Sequence, residues 1–162
     1  MWCLSISAQS TVKDDRDGTE YGQIVLHELI WMDANLQLKT ESSRYYDSTD
    51  QSLQCGIFYT LEEAMSICPA GWRLPKEEEV KELIKLDKRG KIDLMDTLRI
   101  DFCGRIDYEK ASRQGSQNTF WIEGEREGTY ITHWHFSPEE IKMHHHNVAN
   151  KMFPVRCVKT AR

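Results

Sequence analysis

Cys68-Pro69-Ala70-Gly71-Trp72-Arg73-Leu74-Pro75 is the stretch that decides the fold. Each proline fixes its own backbone torsion, so the residues between them form a short, stiff corner. A corner of this kind seats the Trp72 indole in a core between helix and sheet. Upstream, Thr60-Leu61-Glu62-Glu63 has the spacing of a capping box, in which the Thr hydroxyl and the Glu carboxylate each satisfy an orphan N–H at a helix start. Leu61, Ala64, Met65 and Cys68 follow at i, i+3, i+4 and i+7. The spacing predicts a short helix ending before Pro69, with Cys68 on its buried face. Downstream, Pro75 introduces a second helix predicted from Lys76 to about Leu86, with Val80, Leu83 and Ile84 inward. Three glutamates sit near its positive end, and Arg89-Gly90 closes it. Its Glu77 to Lys81 pair reads as a solvated-face contribution of about 0.3 to 0.5 kcal/mol.

Away from this centre the pattern turns to strands. Asp14-Asp15-Arg16-Asp17-Gly18 is a turn cluster, but Lys13 and Ile24 stand where an EF-hand would need acids. Tyr21 to Leu26 reads as a strand and Leu29-Ile30-Trp31-Met32 as a second buried segment, while 39–54 is a polar loop that includes Tyr45-Tyr46. In the second half, Leu98 to Ile106 reads as a strand bent at Gly104, and Asp107 to Thr119 as a polar loop of the kind that carries binding surfaces. Phe120-Trp121-Ile122 is a short apolar segment. Gly128 and Thr129 open a strand running to Phe136, Ser137-Pro138-Glu139 turns the chain, and Glu140 to His146 returns. A last strand is predicted from about Phe153 to Lys159. Strand, then helices, then a β-rich half is the α+β class, as a single domain over 11–162.

At 162 residues, 40% hydrophobic and 29% charged, the chain can bury a sizeable core. Its net charge of −5 and pI near 5.7 carry the wrong sign for a nucleic-acid surface. Its best apolar run, Ile24-Val25-Leu26, stops at His27-Glu28, far short of a membrane span. Residues 1–10 read as the remnant of an export signal cleaved after Ala8, or else as a frayed terminus. Cleavage there removes Cys3 and leaves an even number of cysteines. The remaining Cys55, Cys68, Cys103 and Cys157 have no C-x-x-C spacing, which excludes a zinc ribbon or a thioredoxin-type motif. From spacing alone, Cys68 and Cys157 are either bridged across about 90 residues, at a value of roughly 4 to 5 kcal/mol, or two buried free thiols.

Five blocks in order resemble the Fibrobacter succinogenes major paralogous domain family. They are Asp15-Arg16-Asp17-Gly18-Thr19-Glu20-Tyr21 with Trp31-Met32-Asp33-Ala34-Asn35-Leu36, then Gly56-Ile57-Phe58-Tyr59-Thr60, the Cys68 to Pro75 corner, Phe120-Trp121, and Val155-Arg156-Cys157-Val158-Lys159. The chain departs from the pattern at His27-Glu28-Leu29-Ile30, at Ala34 and at Ile122-Glu123. The resemblance implies a C-type-lectin-like fold, with two helices packed on twisted antiparallel strands, close termini and a Cys68 to Cys157 disulfide. It also implies an exported or cell-surface protein of gut or fibre-degrading bacteria. It brings no catalytic residues with it. Whether Cys55 pairs with Cys103 stays open. Trp31, Trp72 and Trp121 read as core rather than as sugar platforms.

Calcium-dependent lectins need Glu-Pro-Asn or Gln-Pro-Asp together with Trp-Asn-Asp. The four prolines here follow Cys68, Leu74, Ser137 and Phe153, so that site is absent as a motif. The unusual feature is histidine. His133-Trp134-His135 lies on one strand and His144-His145-His146 on the next. Alternation puts Trp134 and Phe136 inward with Ile141 and Met143, and it places His133, His135, His144 and His146 together on the outward face if His133 pairs with His144. Those four imidazoles form a surface for Zn²⁺, Cu²⁺ or Ni²⁺, a charge switch near neutral pH, or simply a solvated strand face. Catalysis by Cys55 or Cys103 with a histidine has no supporting motif. The expectation is a non-enzymatic recognition domain that needs no cofactor, binding a glycan or surface protein through the Asp107 to Thr119 loop and Tyr130, His133, His135, His144 and His146. The competing expectation is a structural or assembly module.

Overall fold

A computed structural model describes residues 10–45 and 55–161. The export-signal reading of residues 1–10, with Cys3, falls outside this range except for Ser10, as do Tyr46 and the rest of the polar loop at 46–54. In chain order the elements are β1 (Thr11–Lys13), β2 (Glu20–Leu26), β3 (Leu29–Met32), β4 (Arg44–Tyr45), β5 (Ile57–Tyr59), α1 (Leu61–Ala64), α2 (Glu77–Lys88) and α3 (Leu94–Thr97). There follow β6 (Arg105–Asp107), β7 (Lys110–Ser112), β8 (Asn118–Phe120), β9 (Arg126–Glu127), β10 (Tyr130–Phe136), β11 (Ile141–Asn147), β12 (Lys151–Pro154) and β13 (Val158–Thr160). Every pairing between these strands is antiparallel. One sheet has the order β1-β2-β3-β13, another β4-β5-β12-β6-β7, and a third β11-β10-β8 with β9 added to β10. The class is α+β with sheet predominating.

The helix starts follow the sequence. Thr60 Oγ1 accepts the Glu63 N–H at 3.3 Å while the Glu63 carboxylate accepts the Thr60 N–H, so the capping box is complete. The helix it starts is a single turn. Glu79 caps α2 by accepting the Lys76 N–H at 2.8 Å, and it also takes a two-pronged ion pair from Arg73 at 2.9 and 2.6 Å. The WRLP corner is thereby tied to the first turn of α2. Gly90, at φ 65°, ends that helix in the left-handed region that glycine enters without strain. Glu77 does more than decorate a solvated face. Besides Lys81 at 2.7 Å, it accepts the Glu125 N–H at 2.8 Å and holds the β8–β10 connection against α2.

Two large apolar clusters, and a smaller one of Cys55, Phe58, Cys103, Ile106 and Met152, fill the interior. One gathers Met32, Leu36, Tyr59, Trp72, Trp121, Phe153 and Cys157. The other gathers Trp31, Val80, Leu83, Phe120, Trp134 and Phe136 under α2. Trp31, Trp72 and Trp121 are all core, with the Trp121 indole N–H donating to the Tyr59 carbonyl at 2.8 Å. Cys68 and Cys157 are bridged, with Cα atoms 5.9 Å apart, and Cys55 is bridged to Cys103. Several elements differ from expectation: α1 stops at Ala64, which leaves Met65 exposed and Cys68 beyond the helix, and the stretch read as a loop from Asp107 to Thr119 carries β7 and the start of β8. The predicted last strand is broken into β12 and β13, in different sheets, because Arg156 between them turns its guanidinium inward to Asn35 Oδ1, at 2.7 and 3.0 Å, and to the Leu98 carbonyl at 2.7 Å. The predicted strand from Leu98 starts only at Arg105, because Asp93 caps the one-turn α3 by accepting the Asp96 N–H at 2.9 Å.

Candidate functional site

The β10–β11 hairpin has the register that alternation predicts: His133 lies opposite His144, Trp134 opposite Met143 and His135 opposite Lys142. Trp134 and Phe136 sink into the α2 core, with Trp134 5.7 Å from Trp31 between ring centroids. This puts His133, His135, His144 and His146 on the other face. That face is not the open strand surface expected. His133 is only 5% and His135 6% exposed. Phe153 of β12 packs 5.2 Å from the His133 ring, and Arg113–Gln117 and Ser137–Glu140 flank the same face. Alternation names a face but says nothing about what lies over it. The result is a groove of about 880 Å³ floored by the histidines and bordered by Arg105, Arg113, Lys142 and Lys151.

Within the groove the rings are ordered. His133 Nδ1 lies 3.3 Å from the Ile131 carbonyl oxygen. A carbonyl only accepts, so Nδ1 carries the proton and Nε2 is left with its lone pair. The His135 ring stacks parallel on His144, 4.7 Å between centroids and 9° between planes. His144 and His146 lie edge to face at 4.8 Å. One ring nitrogen from each of His133, His144 and His146 lies within 4.8 Å of the other two. His135 is outside this convergent set, so the four-histidine cluster resolves into three plus a stacking neighbour.

Tyr130 was expected on the same face and is placed differently. It borders the groove, but its ring stacks on His145 at 6.2 Å, and His145 shares a hydrogen bond with Thr132 on the side opposite the histidines. The polar Asp107–Thr119 stretch is divided. Arg113, Gly115, Ser116 and Gln117 line the histidine groove, whereas Tyr108 and Glu109 line a separate groove of about 630 Å³. Phe153, Arg105 and Lys151, which sequence reasoning did not place at the site, come to it because β12 pairs with β6. No local signal announces that pairing.

The charges are arranged in pairs. Arg105 Nε donates to Asp107 at 2.6 Å, Lys151 reaches the other oxygen of the same carboxylate, and Lys142 pairs with Glu140. Burial alone would raise the Asp107 carboxyl, but the hydrogen bonds from Lys151 and Arg105 prevail and hold it below the usual range. Burial pushes His133 down to about 3. The Ile131 hydrogen bond opposes the shift, while charge on His144, His146 or His135 adds to it. Burial likewise pushes His135 down to about 4, helped by His144, Lys142 and Arg105 and opposed by Glu140. His144 is lowered too, again chiefly by burial. These imidazoles are neutral at pH 7.

A pH dependence follows. The unfolded chain protonates these histidines below about pH 6.5 while the folded chain resists down to about 3 for His133, so the unfolded state binds more protons between the two values. Stability is complete above pH 6.5 and falls as pH drops through that window, by on the order of 1 kcal/mol per pH unit for each of His133 and His135. Urea unfolding of the metal-free protein at pH 7.5, 6 and 5 measures this. His133→Phe should flatten the decline, and an unfolding free energy constant from 7.5 to 5 would contradict it.

Cys55 and Cys103 are bridged to each other, which leaves neither as a thiol nucleophile. Comparisons with family models, curated proteins and solved structures return no match to this chain.

Proposed function

We propose that the chain is an exported, non-enzymatic recognition domain of the Fibrobacter succinogenes major paralogous type, with a C-type-lectin-like scaffold, which binds a glycan in the histidine-floored groove. The groove carries this reading: the β10–β11 face with its own turn, the turn at 113–117 and β12 converge on one concavity lined by polar and apolar groups alike. Ring nitrogens, guanidinium and ammonium groups and the Ser116 and Ser137 hydroxyls suit a hydroxyl-rich ligand better than an apolar peptide anchor. The scaffold reading is supported by the Cys68–Cys157 bridge, by the corner tied to α2, and by β1 and β13 sharing one sheet. Two disulfides belong to an oxidising compartment, and no helix among the described residues is long and apolar enough to cross a membrane.

The test is an array of plant cell-wall and bacterial surface polysaccharides probed with the purified protein, with His135→Ala, Lys142→Ala and the opposite-face His145→Ala as variants. Binding that His135→Ala or Lys142→Ala weakens about tenfold, a loss of about 1.4 kcal/mol, and that His145→Ala leaves intact is the expected result. Trp134 is no part of such a test, because it is a core residue. Absence of binding across the array, or binding indifferent to all three variants, would favour a structural module or a protein ligand instead.

A further inference from the structure

We propose that His133, His144 and His146 form a binding site for one divalent transition-metal ion, zinc by preference, with its fourth coordination position open to the groove. The donor set is the first reason. Imidazole nitrogens suit Zn²⁺, Cu²⁺ and Ni²⁺, and three of them with one open position is a recurrent zinc arrangement. The geometry is the second. His144 and His146 are two residues apart on β11, and His133 is the cross-strand partner of His144, so three side chains leave one sheet face around a common point. A tetrahedral ion about 2.0 to 2.1 Å from each nitrogen places the nitrogens about 3.3 Å apart. Starting from separations within 4.8 Å, rotation of the half-exposed His144 and the exposed His146 closes the set while His133 stays in place.

The surroundings fit an ion. The hydrogen bond from His133 Nδ1 to the Ile131 carbonyl selects the tautomer and aims Nε2 as a ligand, the orienting role that a carbonyl plays behind many metal-bound histidines. The sequence alone offered no such orienting group. Phe153, packed on His133, holds that ring in place, while His135 stacks beside the ring of His144. Of the four cations that border the groove, Lys142 pairs with Glu140, and Arg105 and Lys151 share the Asp107 carboxylate, so two carboxylates offset part of the positive charge, Arg113 included, that an incoming ion meets.

The proposal does not rest on glycan recognition, and its test uses the ion alone. The full chain, with disulfides intact, purified without a polyhistidine tag and stripped with EDTA, is titrated calorimetrically with zinc chloride. The expected result is one ion per chain with a Kd of about 10 μM or tighter. His144→Ala and His146→Ala should each weaken binding at least about tenfold, and His145→Ala should leave it unchanged. Co²⁺ should give the visible absorption of a tetrahedral nitrogen site, lost in His144→Ala, and both variants alter accessible residues, so folding is preserved. No heat and no Co²⁺ spectrum up to about 100 μM ion would overturn the site. Equal weakening by His145→Ala would also overturn it, because the ion would then be held by the histidine run as a flexible chelator.

Discussion

Replacing Cys68 and Cys157 together by alanine should lower the unfolding free energy by about 4 to 5 kcal/mol, the chain-entropy value for a loop of this size. The bridge spans 89 residues of sequence. It joins the segment between α1 and the WRLP corner to the residue that precedes β13, so without it the unfolded chain regains the freedom to separate those ends. Both positions lie in or against the apolar cluster around Tyr59 and Trp121, and alanine fits there without burying a polar group. A domain of this size has about 5 to 15 kcal/mol in total, so the variant should populate the unfolded state visibly at moderate temperature. Non-reducing urea titrations of both proteins measure the difference. A loss below about 1 kcal/mol would show that the folded sheet, rather than the cross-link, decides stability.

The second large effect should come from Arg156→Met, which should cost about 2 to 5 kcal/mol by leaving two buried acceptors without a donor. Arg156 is 4% exposed and has no carboxylate in its hydrogen-bonding shell. Its fork is held by Asn35 Oδ1, by the Leu98 carbonyl at the end of α3 and, more loosely, by the Met32 carbonyl at 3.4 Å, while the guanidinium lies 5.6 Å from the Phe120 ring centroid. Burial lowers its pKa to about 10, partly offset by Asp33 and Asp101, and it remains protonated at neutral pH. Methionine fills much of the same volume but orphans the Asn35 oxygen and the Leu98 carbonyl, and unmet buried acceptors are what make such a change expensive. Arg156→Lys keeps the charge but cannot reproduce the planar fork, so it should recover only part of the loss. Equilibrium unfolding of the three proteins ranks them, and Arg156→Met within 1 kcal/mol of the parent would refute this account of the residue.

What the sequence made legible was local. Thr60 and Glu63 announce a helix start because capping is decided by residues three apart, and the β10–β11 register follows from two apolar residues on each strand that must face one core. The Cys68–Cys157 pair was legible only through the family resemblance, since spacing left free thiols equally open. The pairing of β12 with β6 was not legible, because it joins segments more than 40 residues apart with no turn between them to fix it. That pairing brings Phe153 and Lys151 over the histidines and converts an expected solvated face into a groove. Asp93, by contrast, was a readable cap signal for α3 that the apolar run from Leu98 obscured.

The two cross-links are interlaced, Cys55–Cys103 overlapping Cys68–Cys157 in sequence. A single backbone cut anywhere between residues 55 and 157 therefore separates no fragment, because at least one bridge always straddles the break. A nicked molecule keeps its pieces covalently joined. In an environment rich in proteases, such a chain sheds a piece of this span only after a reductant or a second scission.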